Sequence, residues 1–258
     1  DVSDSVFLMR TYKMICGLSV TSVLRRCDTV LVVSRELKEI AERTYCLEAE
    51  RVRVFPNGVD VKSFRPDVDC DVLRKNLGLE DKKVILYCGR LDRGRRLDLL
   101  IKALPNVLKE ERGIVVLLVG EGPEKGSLMK LARRLNVENF IMNMGAVSHS
   151  DVPKFISLAD VAIGPLAAMP ITRGAFPLKV LEYMACGKSV VACRGSVSRD
   201  LITHRRNGIL INQGDNEALS SAIVGLLEDD DMRKNIRSNA RSHVEKFYDW
   251  SILIEKLE

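Results

Sequence analysis

No stretch of this sequence supplies the ~20 consecutive apolar residues that a membrane-spanning helix needs. The nearest run, residues 6–24, is broken by Arg10 and Lys13. A secretory signal pattern is missing too. No C-x-x-C pair occurs, and the three histidines, His149, His204 and His243, are not at zinc-ligand spacing. Glycine and proline are scarce, 17 and 8 among 258 residues, far below a collagen-like or low-complexity chain. Excess charge is small: 40 Lys and Arg against 35 Asp and Glu leave +5. That balance suits an anionic small-molecule ligand or weak attraction to a membrane surface, and gives no ground for a nucleic-acid partner.

What is present is apolar material for a sizeable core, 46% of the residues. The length predicts one or two domains. Seven cysteines (Cys16, Cys27, Cys46, Cys70, Cys88, Cys186 and Cys193) cannot all pair within the chain. We read them as reduced and mostly buried, which predicts a cytosolic protein. Cys88 and Cys193 lie in apolar runs, where packing is the simpler role. The chain opens at Asp1 without Met, so a fragment of a longer protein is expected.

Apolar, β-rich runs alternate with helical patterns. Strands are predicted at 29–33, 51–55, 83–89, 114–120, 140–145, 160–165, 189–193 and 208–211. Helices are predicted at 34–43, 70–77, 97–111, 124–135, 151–157, 178–186, 217–228 and 231–247. Continuous runs such as VILYCG and IVVLLVG suit strands buried on both faces. The alternation predicts an α/β fold with a mostly parallel, doubly wound sheet. Turn residues from Pro56-Asn57-Gly58 to Pro66-Asp67 mark a boundary. The ~60 residues before it are too few for an independent domain of this type, usually ~100–150, and read as the end of one.

Two stretches carry candidate chemistry. Gly89-Arg90-Leu91-Asp92-Arg93-Gly94-Arg95-Arg96 follows a strong strand and precedes a helix. Ligands of open α/β sheets bind beyond the carboxyl ends of strands, and guanidinium forks match phosphate oxygens. The competing reading is a solvated basic loop, although cations at a helix N-terminus oppose its dipole. The second stretch runs from Gly174 to Gly187. Pro177 suits the first helical residue, Gly187 the terminator, and the free amides of this N-terminus can hold an anion. Glu182 either pairs with Lys179, three residues before it, or accepts from the hydroxyls of a ribose; spacing leaves both open.

Other signals are weaker. Gly120-Glu121-Gly122-Pro123 is not G-x-G-x-x-G, because Gly126 comes one residue late, and reads as a plain strand-to-helix turn. Asp67-Val68-Asp69-Cys70-Asp71 lacks the Gly and Glu of a calcium loop and reads as acids before a helix. Each histidine reads as a surface or capping residue. Phe247, Tyr248 and Trp250 read as a packed anchor.

The motifs GRLDRGRRLDLLIKA, GEGP, ADVAIGP, PLKVLEYMACGKSVVA and RNGILI, in this order, resemble the C-terminal domain of GT-B fold retaining glycosyltransferases of family 4, the glycosyl transferases group 1. RRCDTVLVVSRELKE and VRVFPNGVDVKSFRP resemble the end of that family's N-terminal domain and its linker. The likeness runs from about Arg25 to Trp250. It implies a Rossmann-like fold with three parts: 1–60, the remnant of the N-terminal domain and linker; 61–246, the donor-nucleotide domain; and 247–258, a segment crossing back.

The resemblance further implies transfer of a sugar from a nucleotide-diphosphate sugar to a glycan, lipid or small-molecule acceptor. No metal or other cofactor is implied. Arg90 matches the diphosphate-binding arginine, and Arg95 stands where the family has lysine. Glu182 matches the second of two spaced glutamates, the one that holds the ribose; the first falls on Gly174. Gly89, Phe176, Pro177, Leu178 and Lys179 complete the implied donor site, and Asp200 sits where a glutamate is common. Gly145-Ala146-Val147 matches the loop that meets the base, mainly through backbone. A location at the inner face of a membrane is a further expectation. A non-catalytic nucleotide-sugar sensor or a nucleotide-sugar epimerase on the same fold are the alternatives.

Overall fold

The two continuous apolar runs of the sequence become neighbouring strands at the centre of one sheet. In the computed structural model, which describes residues 20–167, 176–195, 197 and 199–256, the chain forms two compact units, Asp1–Pro56 and Asn57–Glu258. The division falls four residues before the expected 60/61 boundary.

The first unit is a β-α-β piece. Strand β1 (Val30–Val32) and strand β2 (Val52–Val54) pair in parallel, joined by helix α1 (Arg35–Tyr45). Ser34 caps the helix by accepting from the Leu37 amide at 3.1 Å, and Cys46 ends it in the left-handed region. Ala41, Leu47 and Val52 form a small core under this crossover.

The second unit carries strands β3 (Lys83–Cys88), β4 (Ile114–Val119), β5 (Ile141–Gly145), β6 (Val161–Ile163), β7 (Ser189–Cys193) and β8 (Ile209–Ile211). Their order is β5-β4-β3-β6-β7-β8, and every neighbouring pair is parallel. The chain winds outward from β3 to β5, then returns to β6 beside β3. That reversal splays the loops after β3 and β6 apart and opens a crevice at their carboxyl ends, where doubly wound folds bind ligands. The apolar residues of β3, β4 and β7, apart from the partly buried Cys88 and Val115, are buried on both faces, as their continuous runs predict.

Helices α2 (Asp71–Asn76), α3 (Leu97–Glu110), α4 (Lys125–Arg134), α5 (Val152–Ser157), α6 (Leu178–Ala185), α7 (Asn216–Glu228), α8 (Asp230–Phe247) and α9 (Trp250–Glu255) flank the sheet. The last of these was not expected. Of the aromatic trio near it only Tyr248 is buried; Phe247 and Trp250 are 41% and 40% exposed. The closing segment belongs to the second unit, where Val59 bridges to Asp249 and Trp250 lies against Gly58. Among the described residues, no helix is long and apolar enough to cross a membrane. The six described cysteines are free thiols.

Candidate functional site

The arginine loop is built by backbone packing that only glycine permits. Gly89 leaves β3 with φ +138° and donates to the Val119 carbonyl at 2.8 Å. The Gly120–Gly122 turn after β4 lies directly against it. Leu91 donates to the Glu121 carbonyl at 2.9 Å, and Glu124 donates to the Leu91 carbonyl at 3.0 Å. A Cβ at Gly120 would overlap the Gly89 carbonyl, and one at Gly122 would overlap the backbone of Leu91. The stretch read as a plain turn is therefore the buttress of the arginine loop.

The four arginines divide by partner. Arg96 is tied to Asp98 by two hydrogen bonds, at 2.8 and 3.1 Å; against the upward push of burial, these and the bond from Lys102 hold that carboxyl below its usual range. Arg93 is exposed and lines, with Arg96, a separate small cleft beside Glu124. Arg90 and Arg95 both turn to Asp92, with Nε to Oδ2 distances of 4.0 and 3.6 Å. Neither is hydrogen-bond range. The Arg95 Nε is buried and makes no hydrogen bond. A buried charged donor in that state is destabilising unless an anion completes it.

Helix α6 meets the same place from the β6 side. Pro177 is its N-cap rather than its first helical residue, with φ −72° and no side-chain cap. Val180 and Leu181 donate to the Pro177 carbonyl, at 3.0 and 3.4 Å, so the Leu178 and Lys179 amides stand at the open end. The other end is closed. Gly187 at φ +62° donates to Met184, and Lys188 donates to the Tyr183 carbonyl. Arg241 and Arg237 satisfy the carbonyls of Ala185 and Gly187.

Two tyrosines fasten the helix to β3. The fully buried Tyr183 hydroxyl accepts from the Cys88 amide at 2.7 Å and donates to the Cys88 carbonyl at 3.1 Å. The Lys179 ammonium donates to the Tyr87 hydroxyl at 2.7 Å and lies 4.0 Å over its ring. Tyr183→Phe is expected to leave both Cys88 backbone groups without partners and to reduce stability by about 1–3 kcal/mol. Urea unfolding checks this; a change below ~0.5 kcal/mol would mean that Cys88 finds other partners.

Glu182 is half-buried on the same helix. Burial pushes its carboxyl pKa up, against the opposing pull of His149 and Lys179. Among the described residues no ion pair joins Glu182 to Lys179, whose ammonium goes to Tyr87 instead. His149 is exposed, as read from sequence; its ring lies tilted against Phe64, 5.6 Å between centroids, and it is close enough to act on Glu182. Phe176 turns its ring into the core against Tyr248, 5.0 Å away, and its carbonyl accepts from Asn57 at 2.8 Å. Leu178 is exposed. Val147 lines a cleft of about 610 Å³ with Cys70, Leu73 and Phe155. Gly174 lies outside the described residues. Among the described residues, no group of three or more His, Cys, Asp or Glu is placed to hold a metal ion.

The structure thus brings together Gly89, Arg90, Arg95, Lys179, Glu182 and the amides of α6. Sequence reading missed Tyr87, Tyr183 and His149. The signal for Tyr87 was available: a hydroxyl at the carboxyl end of an otherwise apolar central strand.

The family model for glycosyl transferases group 1 matches residues 70–243, and that for glycosyltransferase family 4 matches residues 8–63. The chain is 31% identical over 213 residues to a GDP-mannose-dependent monoacylated alpha-(1-6)-phosphatidylinositol monomannoside mannosyltransferase of Corynebacterium glutamicum, covering 79% of this chain and 54% of that one. It is 30% identical over 233 residues to a D-inositol 3-phosphate glycosyltransferase of Xylanimonas cellulosilytica, covering 87% and 54%. The chain therefore spans about half the length of these curated relatives. The crystal structure of Anabaena Alr3699/HepE with UDP and glucose is similar at a TM-score of 0.81 and 25% identity, over 93% of this chain and 64% of that one.

Proposed function

This chain belongs to the glycosyl transferases group 1 family, and on that premise we propose that it carries the donor half of a retaining glycosyltransferase. The donor is a nucleotide-diphosphate sugar, and the acceptor is a glycan, lipid or small molecule. The observation that supports the reading is Arg95, whose buried Nε makes no hydrogen bond and lies 3.6 Å from Asp92, close enough to act on Lys179 at the open end of α6.

The chemistry follows from charge. Transfer breaks the bond between the anomeric carbon and the donor phosphate oxygen, and negative charge grows on the departing diphosphate. The acceptor oxygen forms the new bond on the face the phosphate leaves, so the departing phosphate oxygen can take the acceptor's proton. Fixed cations and amides aimed at that oxygen stabilise the transition state more than the ground state. With guanidinium groups meeting the charge, the reading calls for no metal. Glu182 lies one turn along the same helix, and a ribose lies one step beyond its phosphates, so the carboxylate accepts from the two ribose hydroxyls.

Glu182→Gln tests the assignment. Hydrogen bonds to a charged group contribute about 1.5–3 kcal/mol, so nucleotide binding should weaken roughly tenfold or more, at ~1.4 kcal/mol per decade. Stability should move the other way. A carboxyl whose pKa is raised on folding stabilises the folded state only at low pH, and that contribution is lost as pH rises through the folded value. At neutral pH its charge is a burden that glutamine removes. Calorimetric titration of UDP, GDP and ADP, with thermal melts alongside, reads both effects. Equal binding by the two proteins with a lower melt for the variant would make Glu182 a packing residue. Product analysis with a labelled donor separates transfer from epimerisation and from binding without turnover.

A further inference from the structure

Lys179 enters the site through its side chain as well as its amide. The ammonium lies back against the end of β3, hydrogen-bonded to Tyr87 Oη at 2.7 Å. The Tyr87 hydroxyl donates its own proton to the Arg90 carbonyl at 2.8 Å, so a lone pair faces the lysine. The absence of a side chain at residue 89 leaves the ammonium its place: a Cβ there would overlap Lys179 Nζ and lie 3.1 Å from its Cε, so the lysine would have to move. The charged and titratable groups facing it are Arg95 and Asp92 from the arginine loop, Tyr87 and Cys88 from β3, and Glu182 from its own helix. Among the described residues none of these carboxylates is within ion-pair distance. A cation taken out of water against a neutral hydroxyl, beside a second cation, is an unfavourable arrangement unless an anion joins it.

We propose that the Lys179 ammonium is a third cationic ligand of the donor diphosphate, held on Tyr87 beneath the Gly89 turn until the phosphates arrive. The inference rests on the nucleotide-sugar reading and deepens it. Arg90 and Arg95 keep their charge under all working conditions, whereas Lys179 does not. Burial first, then the nearby Arg95 charge, lowers its pKa from 10.5 to about 7 in the free protein. An anion placed on the ammonium favours the charged form, so binding at neutral pH draws a proton in. The free protein carries the opposite consequence. Below pH ~7 the folded chain holds a buried charge that the unfolded chain solvates, and this destabilisation is complete. It fades as pH rises from about 7 toward 10.5, where both states become neutral.

Lys179→Met separates this role from mere packing, because the two expected effects have opposite signs. The variant should melt higher than wild type near pH 6.5, with the gap closing toward pH 10.5. It should also bind the preferred nucleoside diphosphate about tenfold or more weakly. Titration of UDP, GDP and ADP at pH 7 in two buffers of different ionisation enthalpy counts the protons taken up. Wild type should take up more proton than the variant with the same ligand, since a group with pKa about 7 is only partly charged before binding. The comparison cancels the titration of the ligand's own phosphate. Lys179→Gln serves where the methionine variant fails to fold. A variant that binds as tightly as wild type with the same proton uptake, or that melts lower, overturns the assignment. Arg95→Ala distinguishes the two levels. If it too binds as wild type, the nucleotide reading itself fails; if it weakens binding while Lys179→Met does not, only the lysine assignment fails.

Discussion

Gly122→Ala is expected to be among the most damaging single-methyl changes in the second unit. A Cβ at residue 122 would lie 2.6 Å from the Leu91 carbonyl carbon and 2.7 Å from its amide nitrogen, against backbone rather than a side chain that can swing aside. Leu91 is fully buried, so the loop has no free volume to retreat into. Three hydrogen bonds join the two turns: Gly89 to Val119, Leu91 to Glu121 and Glu124 to Leu91. Forcing them apart forfeits much of their net worth, about 0.5–1.5 kcal/mol each, and adds strain. The expected loss is about 2–4 kcal/mol, read by urea unfolding, and nucleotide binding should fall with it because Arg90 and Arg95 lose their footing. Unfolding within ~0.5 kcal/mol of wild type would mean that the turns do not pack this way. Gly120→Ala should behave alike, with the added strain of φ +136°.

That buttress marks the limit of what the sequence disclosed. Each of the eight strands was legible, the central ones because runs such as KVILYC and IVVLLV, largely buried on both faces, need no partner to be recognised. Their parallel pairing then followed from the alternation with helices, while their order in the sheet did not. The role of Gly120-Glu121-Gly122 was not legible, because it depends on how closely two loops approach across neighbouring strands. The side-chain partner of Lys179 was not legible for a related reason. Glu182, three residues on, was one open choice, while the actual partner, Tyr87, is 92 residues away. Helix α9 escaped notice because six residues following Asp249 hold too little periodicity to register. The arginine loop, Glu182 and the helix opening after Pro177 were all visible, since charge at a strand's carboxyl end and a proline–glycine bracket are local features.

Arg95→Ala is expected to have the largest effect on chemistry. Its Nε is already desolvated and without a hydrogen bond, so little reorganisation is needed when a phosphate oxygen arrives. Removing one preorganised donor of this kind typically reduces turnover by about 10²–10³, or roughly 2.7–4 kcal/mol. Arg90, with its side chain 71% exposed, is more solvated and should matter less. Stability should hold or rise in Arg95→Ala, because the Asp92 contact at 3.6 Å is only a loose ion pair. Release of nucleoside diphosphate from labelled donor, followed alongside thermal melts, checks both. A turnover loss below about threefold would remove Arg95 from the leaving-group site.

The central claim is that the crevice beyond β3 and β6 reads a diphosphate through Arg95 and the open end of α6. The most direct measurement compares the affinity of each nucleoside diphosphate with that of its monophosphate, for wild type and for Arg95→Ala. Wild type should prefer the diphosphate of one base by tenfold or more, and Arg95→Ala should lose most of that preference while still binding the monophosphate. Equal affinity for the two phosphate lengths in wild type, or a preference untouched by Arg95→Ala, would contradict it.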